Sequence, residues 1–179
     1  MRATGIVRRI DDLGRVVIPK EIRRTMRIRE GDPLEIYTDN DGEVIFKKYS
    51  PIGELAAFAE LYAEVLGKSC QKGVIICDRD HCVACAGVSK KEVLERRNSA
   101  ALEDIMENRA IYLYAGGERR LPILEGTDHT IEIAAPIIAS GDIAGAVVFT
   151  LEGGEIPSES DRKLAAVAAG FLGKQMEDF

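Results

Sequence analysis

Apolar and polar residues alternate through the first fifty positions with the two-residue period of extended chain, broken once by a helical spacing. Ile6, Arg8 and Ile10 share one face of a strand predicted over Thr4 to Ile10. Asp11-Asp12-Leu13-Gly14 is a turn signal, and a short strand, Arg15 to Ile18, follows it. Pro19 suits the first helical position, where its missing N–H has no intrahelical partner to lose. Ile22 and Met26, four residues apart, make the apolar stripe of that helix, and Lys20, Arg23, Arg24 and Arg27 face away from it. Glu30-Gly31-Asp32-Pro33 breaks the chain. Leu34 to Thr38 and Glu43 to Tyr49 then read as strands joined by Asp39-Asn40-Asp41-Gly42.

From Ser50 the period lengthens. Ser50 as N-cap and Pro51 at the first position open a helix to about Leu66, with Leu55, Phe58, Leu61, Tyr62, Val65 and Leu66 on its apolar face and Gly67 as its stop. Gly73 to Cys77 and Cys82 to Ala86 form a hairpin around Asp78-Arg79-Asp80. A helical pattern covers Lys90 to Asn108, Ile111 to Tyr114 reads as a strand, and Gly116 to Gly126 is a polar loop. Thr130 to Ala139 and Ile143 to Leu151 make an apolar hairpin. The last helix opens at Ser158 with Asp161 three residues on, a capping-box pattern, and runs to about Met176. Its small residues, Ala165, Ala166, Ala168, Ala169 and Gly170, permit close approach of the 51 to 66 helix. This order predicts an α+β domain, one antiparallel sheet with helices on its faces.

The change at Ser50-Pro51 divides the 179 residues into domains 1–50 and 51–179. A unit of about fifty residues buries too little surface to be comfortably stable alone. Two chains that interleave their hairpins and share Ile6, Val16, Ile18, Leu34, Ile36, Val44 and Phe46 would complete a core and pair the strand edges. A homodimer is therefore expected through residues 1–50. Hydrophobic residues are 46% and charged residues 30% of the chain, which describes a soluble globular protein. The charged N-terminus implies no export, and the longest apolar stretch, nine residues from Ile143, is far short of the roughly 20 needed to cross a bilayer. The expectation is a cytoplasmic protein with no membrane partner, its four cysteines reduced.

Charge changes this picture. The total is −6, yet residues 1 to 29 carry nine Lys or Arg against three acids, a net of +6, whereas residues 51 to 179 carry 13 basic and 21 acidic residues, a net of −8. The first segment is a polyanion-binding candidate and the second is not. Most of the nine cations are arginines, whose planar fork suits two-toothed contacts to phosphate or guanine. Arginine preference favours recognition of such a partner over mere solubility.

Thr4-Gly5-Ile6-Val7-Arg8, Leu13-Gly14-Arg15-Val16-Val17-Ile18-Pro19, Ile22-Arg23-Arg24-Thr25 and Leu34-Glu35-Ile36 closely resemble the AbrB family of swapped-hairpin DNA-binding domains. The resemblance implies a swapped-hairpin β-barrel formed by two chains that grips DNA with Arg8, Arg15, Arg23 and Arg24; Arg9 and Lys20 are candidate phosphate contacts, with Arg27 a neighbour. Continuation through Lys47-Lys48-Tyr49-Ser50-Pro51-Ile52 resembles the two-domain sporulation regulators of that family. That implies activation and repression of sporulation genes and a tetramer built through helices of 51–179. Residues 51–179 are similar to GAF domains through Val74-Ile75-Ile76-Cys77-Asp78-Arg79-Asp80, Pro136-Ile137-Ile138 and Gly141-Asp142-Ile143-Ala144-Gly145-Ala146-Val147.

Other chemistry is weaker. Cys77, His81, Cys82 and Cys85 offer zinc-type ligands, but Cys82 and Cys85, three apart on a strand, are expected on opposite faces, so no metal is predicted. His129 beside Asp128 lacks a nucleophile in a motif, and Gly116-Gly117 and Gly153-Gly154 lack a phosphate loop's context. No enzyme and no cofactor are predicted. An unidentified small-molecule ligand is compatible with a pocket between the sheet and the Lys90 to Asn108 segment. The alternative is an antitoxin-like DNA-binding dimer whose C-terminal half binds a protein partner.

Overall fold

Two turns of the same construction shape the first of the chain's two units, Met1–Tyr49 and Ser50–Phe179. The computed structural model describes residues 4–117, 119–150, 153 and 156–177; Arg2, Leu151 and Gly154, used above, lie outside them. In one turn Asp11 Oδ1 accepts the N–H groups of Leu13 (3.0 Å) and Arg15 (2.8 Å), and Asp11 N–H donates to the Arg15 carbonyl (3.0 Å). In the other, Asp39 Oδ1 accepts from Asp41 (3.0 Å) and Glu43 (2.8 Å), and Asp39 N–H donates to the Glu43 carbonyl (3.2 Å). Each closes on a glycine in the left-handed region, Gly14 at φ 75° and Gly42 at φ 83°.

The second turn joins β1 (Leu34–Thr38) to β2 (Val44–Lys48), an antiparallel pair running from Leu34–Lys48 to Thr38–Val44. The first turn joins no such ladder. The strands expected over Thr4 to Ile10 and Arg15 to Ile18 are not formed within the chain beyond the Asp11–Arg15 pair. Alternation specifies which faces a segment can offer, but a strand exists only against a neighbour, and this segment pairs with none among the described residues of its own chain. Between them lies α1 (Lys20–Thr25). Pro19 sits just before it and not inside it; its carbonyl accepts the Arg23 N–H at 2.9 Å. Arg27 lies beyond the helix at φ 51° and is half-buried.

In the second unit Ser50 Oγ accepts the Gly53 N–H at 3.1 Å and opens α2 (Pro51–Glu54), which passes through Leu55 into α3 (Ala56–Cys70). Gly67 does not stop the helix. The stop is Gln71 at φ 54°, and a Cβ at Gly67 would lie 3.1 Å from the Lys72 carbonyl oxygen, so the glycine is there for a close approach. A five-stranded antiparallel sheet follows in the order β4-β3-β7-β6-β5, comprising β3 (Val74–Asp78), β4 (Cys82–Ala86), β5 (Tyr112–Leu113), β6 (Ile131–Ala139) and β7 (Asp142–Thr150). Lys90 to Asn108 is not one helix: α4 (Lys90–Val93) ends and α5 (Ala100–Glu107) begins afresh, with Ser99 Oγ accepting the Leu102 N–H. The residues between cover the start of β4, Cys82 N–H donating to the Arg96 carbonyl and Glu95 N–H to that of Cys82, both at 2.9 Å. Tertiary hydrogen bonding has overridden a helical pattern there.

Both faces of the sheet are buried, which is why its strands read as continuous apolar runs. Val74, Ile76, Val147 and Phe149 face α2, α3 and α6 (Glu159–Glu177); Ile75, Cys77, Ala146 and Val148 face α5 and the 121–124 segment. The α6 cap is reciprocal, Ser158 N–H donating to Asp161 Oδ2 and Asp161 N–H to Ser158 Oγ, both at 3.1 Å. Phe58, Tyr62 and Phe171 join α3 to α6 with ring centroids 5.5–6.1 Å apart. The small residues of α6, expected against another helix, instead seat it on the sheet: Ala165, Ala168 and Ala169 are buried there, a Cβ at Gly173 would lie 2.2 Å from the Ile138 carbonyl oxygen, and Gly170 stands in open space.

The two kinds of glycine predict opposite outcomes. At Gly145 a Cβ would lie 2.0 Å from the Cys77 carbonyl oxygen, a backbone atom that moves only with its strand. Gly145→Ala is expected to destabilise by about 1–3 kcal/mol, and Gly170→Ala, mid-helix and unobstructed, to stabilise by roughly 0.5–1 kcal/mol. Urea unfolding of the two variants beside wild type checks both signs.

Candidate nucleic-acid interface

All six sequence-predicted cations, Arg8, Arg9, Arg15, Lys20, Arg23 and Arg24, are exposed. Arg8 and Arg9 lie on the extended arm before the first turn, Arg15 is the residue after its glycine, and Lys20, Arg23 and Arg24 share the short helix α1. Arg27 and Arg29 are half-buried and belong to the frame: the Arg27 carbonyl accepts Lys48 Nζ at 2.9 Å, and Asp32 accepts the Arg29 N–H at 2.7 Å.

Arg15 differs from its neighbours. Its Nε donates to Asp11 Oδ2 at 2.8 Å, an i,i+4 ion pair in which the arginine side chain keeps 69% of its exposure. The Asp11 carboxyl is held below its ordinary value, first by the Arg15 N–H it accepts and next by the Arg15 guanidinium. In the sequence Asp11 is legible only as a turn residue, and the signal for its turn is the Asp-x-x-Gly repeated at residues 11–14 and 39–42.

The second unit has different chemistry. Where α5 lies on the sheet, Ile75, Leu102, Ile105 and Met106 fill the space between them. A cleft of about 720 Å³ opens instead at the start of the Lys90 to Asn108 segment, between it, β4 and the helices α2 and α3, bounded by Ala57, Glu60, Asp78, Cys85, Lys90 and Leu94, with Lys90 paired to Glu60. The cysteines also depart from expectation. Val83 is an extra residue between the pairs Ile76–Ala84 and Cys77–Cys82, and this bulge reverses the alternation of β4 so that Cys82 and Cys85 both turn to the Cys77 side. Contact with the Cys77 thiol, together with burial, pushes the Cys82 thiol up, which suppresses thiolate chemistry. Among the described residues no three His, Cys, Asp or Glu side chains are grouped to hold a metal. His129 is half-buried, 3.9 Å from Glu92. Among the described residues no helix is long and apolar enough to cross a membrane.

Residues 54–177 match the family described as stage V sporulation protein T C-terminal, transcription factor. Stage V sporulation protein T of Bacillus subtilis (strain 168) is 52% identical over 179 residues, covering 99% of each chain. The chain belongs to the stage V sporulation protein T family. Members are transcription regulators, and the first unit of this one also matches, over residues 7–53, the family described as antidote-toxin recognition MazE, bacterial antitoxin. Over 51 residues, 28% of this chain and 52% of the other, it is 63% identical to the transition state regulatory protein AbrB of the same organism. The second unit shares its fold with a type II free methionine-R-sulfoxide reductase from Thermoplasma acidophilum (TM-score 0.56, 14% identity, 72% of this chain and 96% of that one). It is likewise similar to the GAF domain of a Coxiella burnetii phosphoenolpyruvate-protein phosphotransferase (TM-score 0.55, 18% identity, 69% and 83%). This member of the stage V sporulation protein T family therefore pairs an AbrB-like first unit with a GAF fold, an α+β chain throughout.

Proposed function

We propose that two copies of this chain grip double-stranded DNA through Arg8, Arg9, Arg15, Lys20, Arg23 and Arg24 and so activate and repress sporulation genes in the cytoplasm. The observation that carries the reading is the exposure of all six cations on a segment of net charge +6 in a chain of net −6. Exposed guanidinium groups release phosphate counterions at little conformational cost, and a two-fold basic surface matches the repeat of a duplex.

Dimerisation is supported by what the first unit leaves uncovered. Ile6, Val16, Ile36, Val44 and Phe46, five of the seven residues assigned to the shared core, are 40–61% exposed in the single chain. So much apolar surface on so small a unit marks an interface. In the second unit Leu61 and Val65 of α3 and Val167 and Phe171 of α6 are exposed apolar residues at helical spacing, the surface through which dimers would pair into a tetramer. The cleft beside β4 offers a seat to a small-molecule effector.

Log affinity for duplex DNA is expected to fall with log salt at a slope of roughly −7, the value for eight phosphate contacts from four arginines in each of two chains. Fluorescence anisotropy across a salt series measures it; a slope near zero would remove the phosphate-gripping role. The match to MazE antitoxins favours a second reading, a dimer whose C-terminal half masks a protein partner. Against it, residues after Ser50 form two buried cores with capped helices and not an open acidic tail.

A further inference from the structure

A carboxylate in a loop that faces polyphosphate ought to weaken binding, and Asp11 stands in such a loop. We propose that Asp11 is a positioning residue for DNA binding: its Oδ2 holds the Arg15 guanidinium by Nε and leaves the Nη1–Nη2 edge, the two-toothed one, presented to the duplex. The inference rests on the reading of Arg15 as a DNA contact.

The two carboxylate oxygens divide the work. Oδ1 accepts the Leu13 and Arg15 N–H groups and shapes the turn; Oδ2 takes the Arg15 Nε at 2.8 Å. Among the described residues neither Nη of Arg15 has a partner, and the side chain stays 69% exposed. The molecule carries its own control. Asp39 builds the same turn with the same two N–H contacts, but the position matching Arg15 is Glu43, and Asp39 Oδ2 has no partner among the described residues. The turn therefore needs only the first oxygen, and the second is free to serve Arg15. An unrestrained arginine on an exposed loop gives up several rotatable bonds when it meets a phosphate or base; one already seated by Nε has less freedom to lose. Removing Asp11 deletes a repelling charge but also releases the fork, and in this geometry the second effect is the larger.

The test uses the full-length protein and a duplex that wild type selects from a random-sequence pool. Asp11→Asn keeps an oxygen for both backbone N–H groups and replaces the Nε acceptor with a donor. It is expected to weaken binding roughly five- to tenfold, whereas Asp39→Asn, the same charge change in the same turn, is expected not to weaken it. In an Arg15→Ala background Asp11→Asn should no longer weaken binding, since only the removal of a repelling charge remains, whereas a general loss of turn structure would weaken it there too. If Arg15→Ala weakens binding while Asp11→Asn leaves it equal or tighter, the positioning role is wrong and the DNA reading stands. If Arg15→Ala binds like wild type, the DNA contact itself is wrong. Should Asp11→Asn unfold or lose its oligomeric state, Arg15→Lys decides: it keeps the charge without the fork, weaker binding supports the proposal, and wild-type affinity overturns it.

Discussion

Lys72→Met is expected to destabilise the second unit by about 3–5 kcal/mol, the largest stability effect of any single substitution considered. Lys72 lies in the turn between α3 and β3. Its Nζ contacts Oε1 of Glu132, whose side chain is only 2% exposed, and approaches Asp161 Oδ2 at 3.4 Å. Glu132 is the bulged residue between the register pairs Ile131–Thr150 and Ile133–Phe149 of β6 and β7, so its carboxylate is committed to the interior by the backbone. Taking away the ammonium deprives a buried anion of a cation that its Oε1 meets, a far costlier change than the loss of a surface pair.

The pH dependence distinguishes this explanation from simple loss of packing. Burial lowers the Lys72 ammonium, but Glu132 and Asp161 outweigh it and the net direction is up. Burial raises the Asp161 carboxyl, but Ser158 and Lys72 outweigh it and the net direction is down. In wild type the depressed Asp161 contributes stability that is present above its unfolded value of 3.8 and lost as pH falls through its lower folded value. The raised Lys72 contributes stability present below 10.5 and lost only as pH climbs beyond it. Wild type should therefore be flat across neutrality. In Lys72→Met the Asp161 carboxyl loses one of the groups that hold it down, so its folded value moves back toward 3.8 and the variant has less carboxylate stabilisation to lose on acidification. The gap between variant and wild type should hold across neutrality and narrow only as pH falls below about 4, through the range in which Asp161 takes up its proton. Urea titrations at three pH values measure it, and a gap that is constant, or smaller than about 1 kcal/mol, would dismiss the buried-charge account.

Arg15→Ala combined with Arg23→Ala is expected to cost roughly a thousandfold or more in duplex affinity, since it removes four guanidinium groups from a dimer at about 1–3 kcal/mol each. The slope against salt should flatten from roughly −7 to roughly −4. Both side chains are exposed, and the backbone groups that hold the turn and α1 survive truncation to alanine, so the double variant should melt with wild type. Anisotropy and thermal unfolding on the same sample check the pair of claims. Unchanged affinity would move the DNA surface elsewhere, and a large fall in melting temperature would show these arginines to be structural.

Much of this was legible in the residue order. Ser50, Ser158 and Asp161 act through contacts within one helical turn, and they cap the helices their spacing predicts. The apolar runs of β3, β6 and β7 follow from sheet faces covered on both sides, and the charge reversal between Arg29 and Ser50 needs no coordinates. What misled the reading were features whose outcome depends on a residue far away. Gly67 looks like a helix stop until Ala86 and Lys72 are packed beside it; Lys90 to Asn108 looks like one helix until the edge of β4 claims its middle. Cys82 and Cys85 look opposed until a bulge at Val83 turns them to one side.

By itself, then, the sequence determined the helix caps and the basic character of the first segment, because each depends on neighbours a few positions apart. Tertiary structure alone decided that Lys72, Glu132 and Asp161 meet and that three thiols share a face. Those are matters of where side chains point once the backbone has bent, and a single bulged or left-handed residue reverses them without altering any pattern of polar and apolar positions.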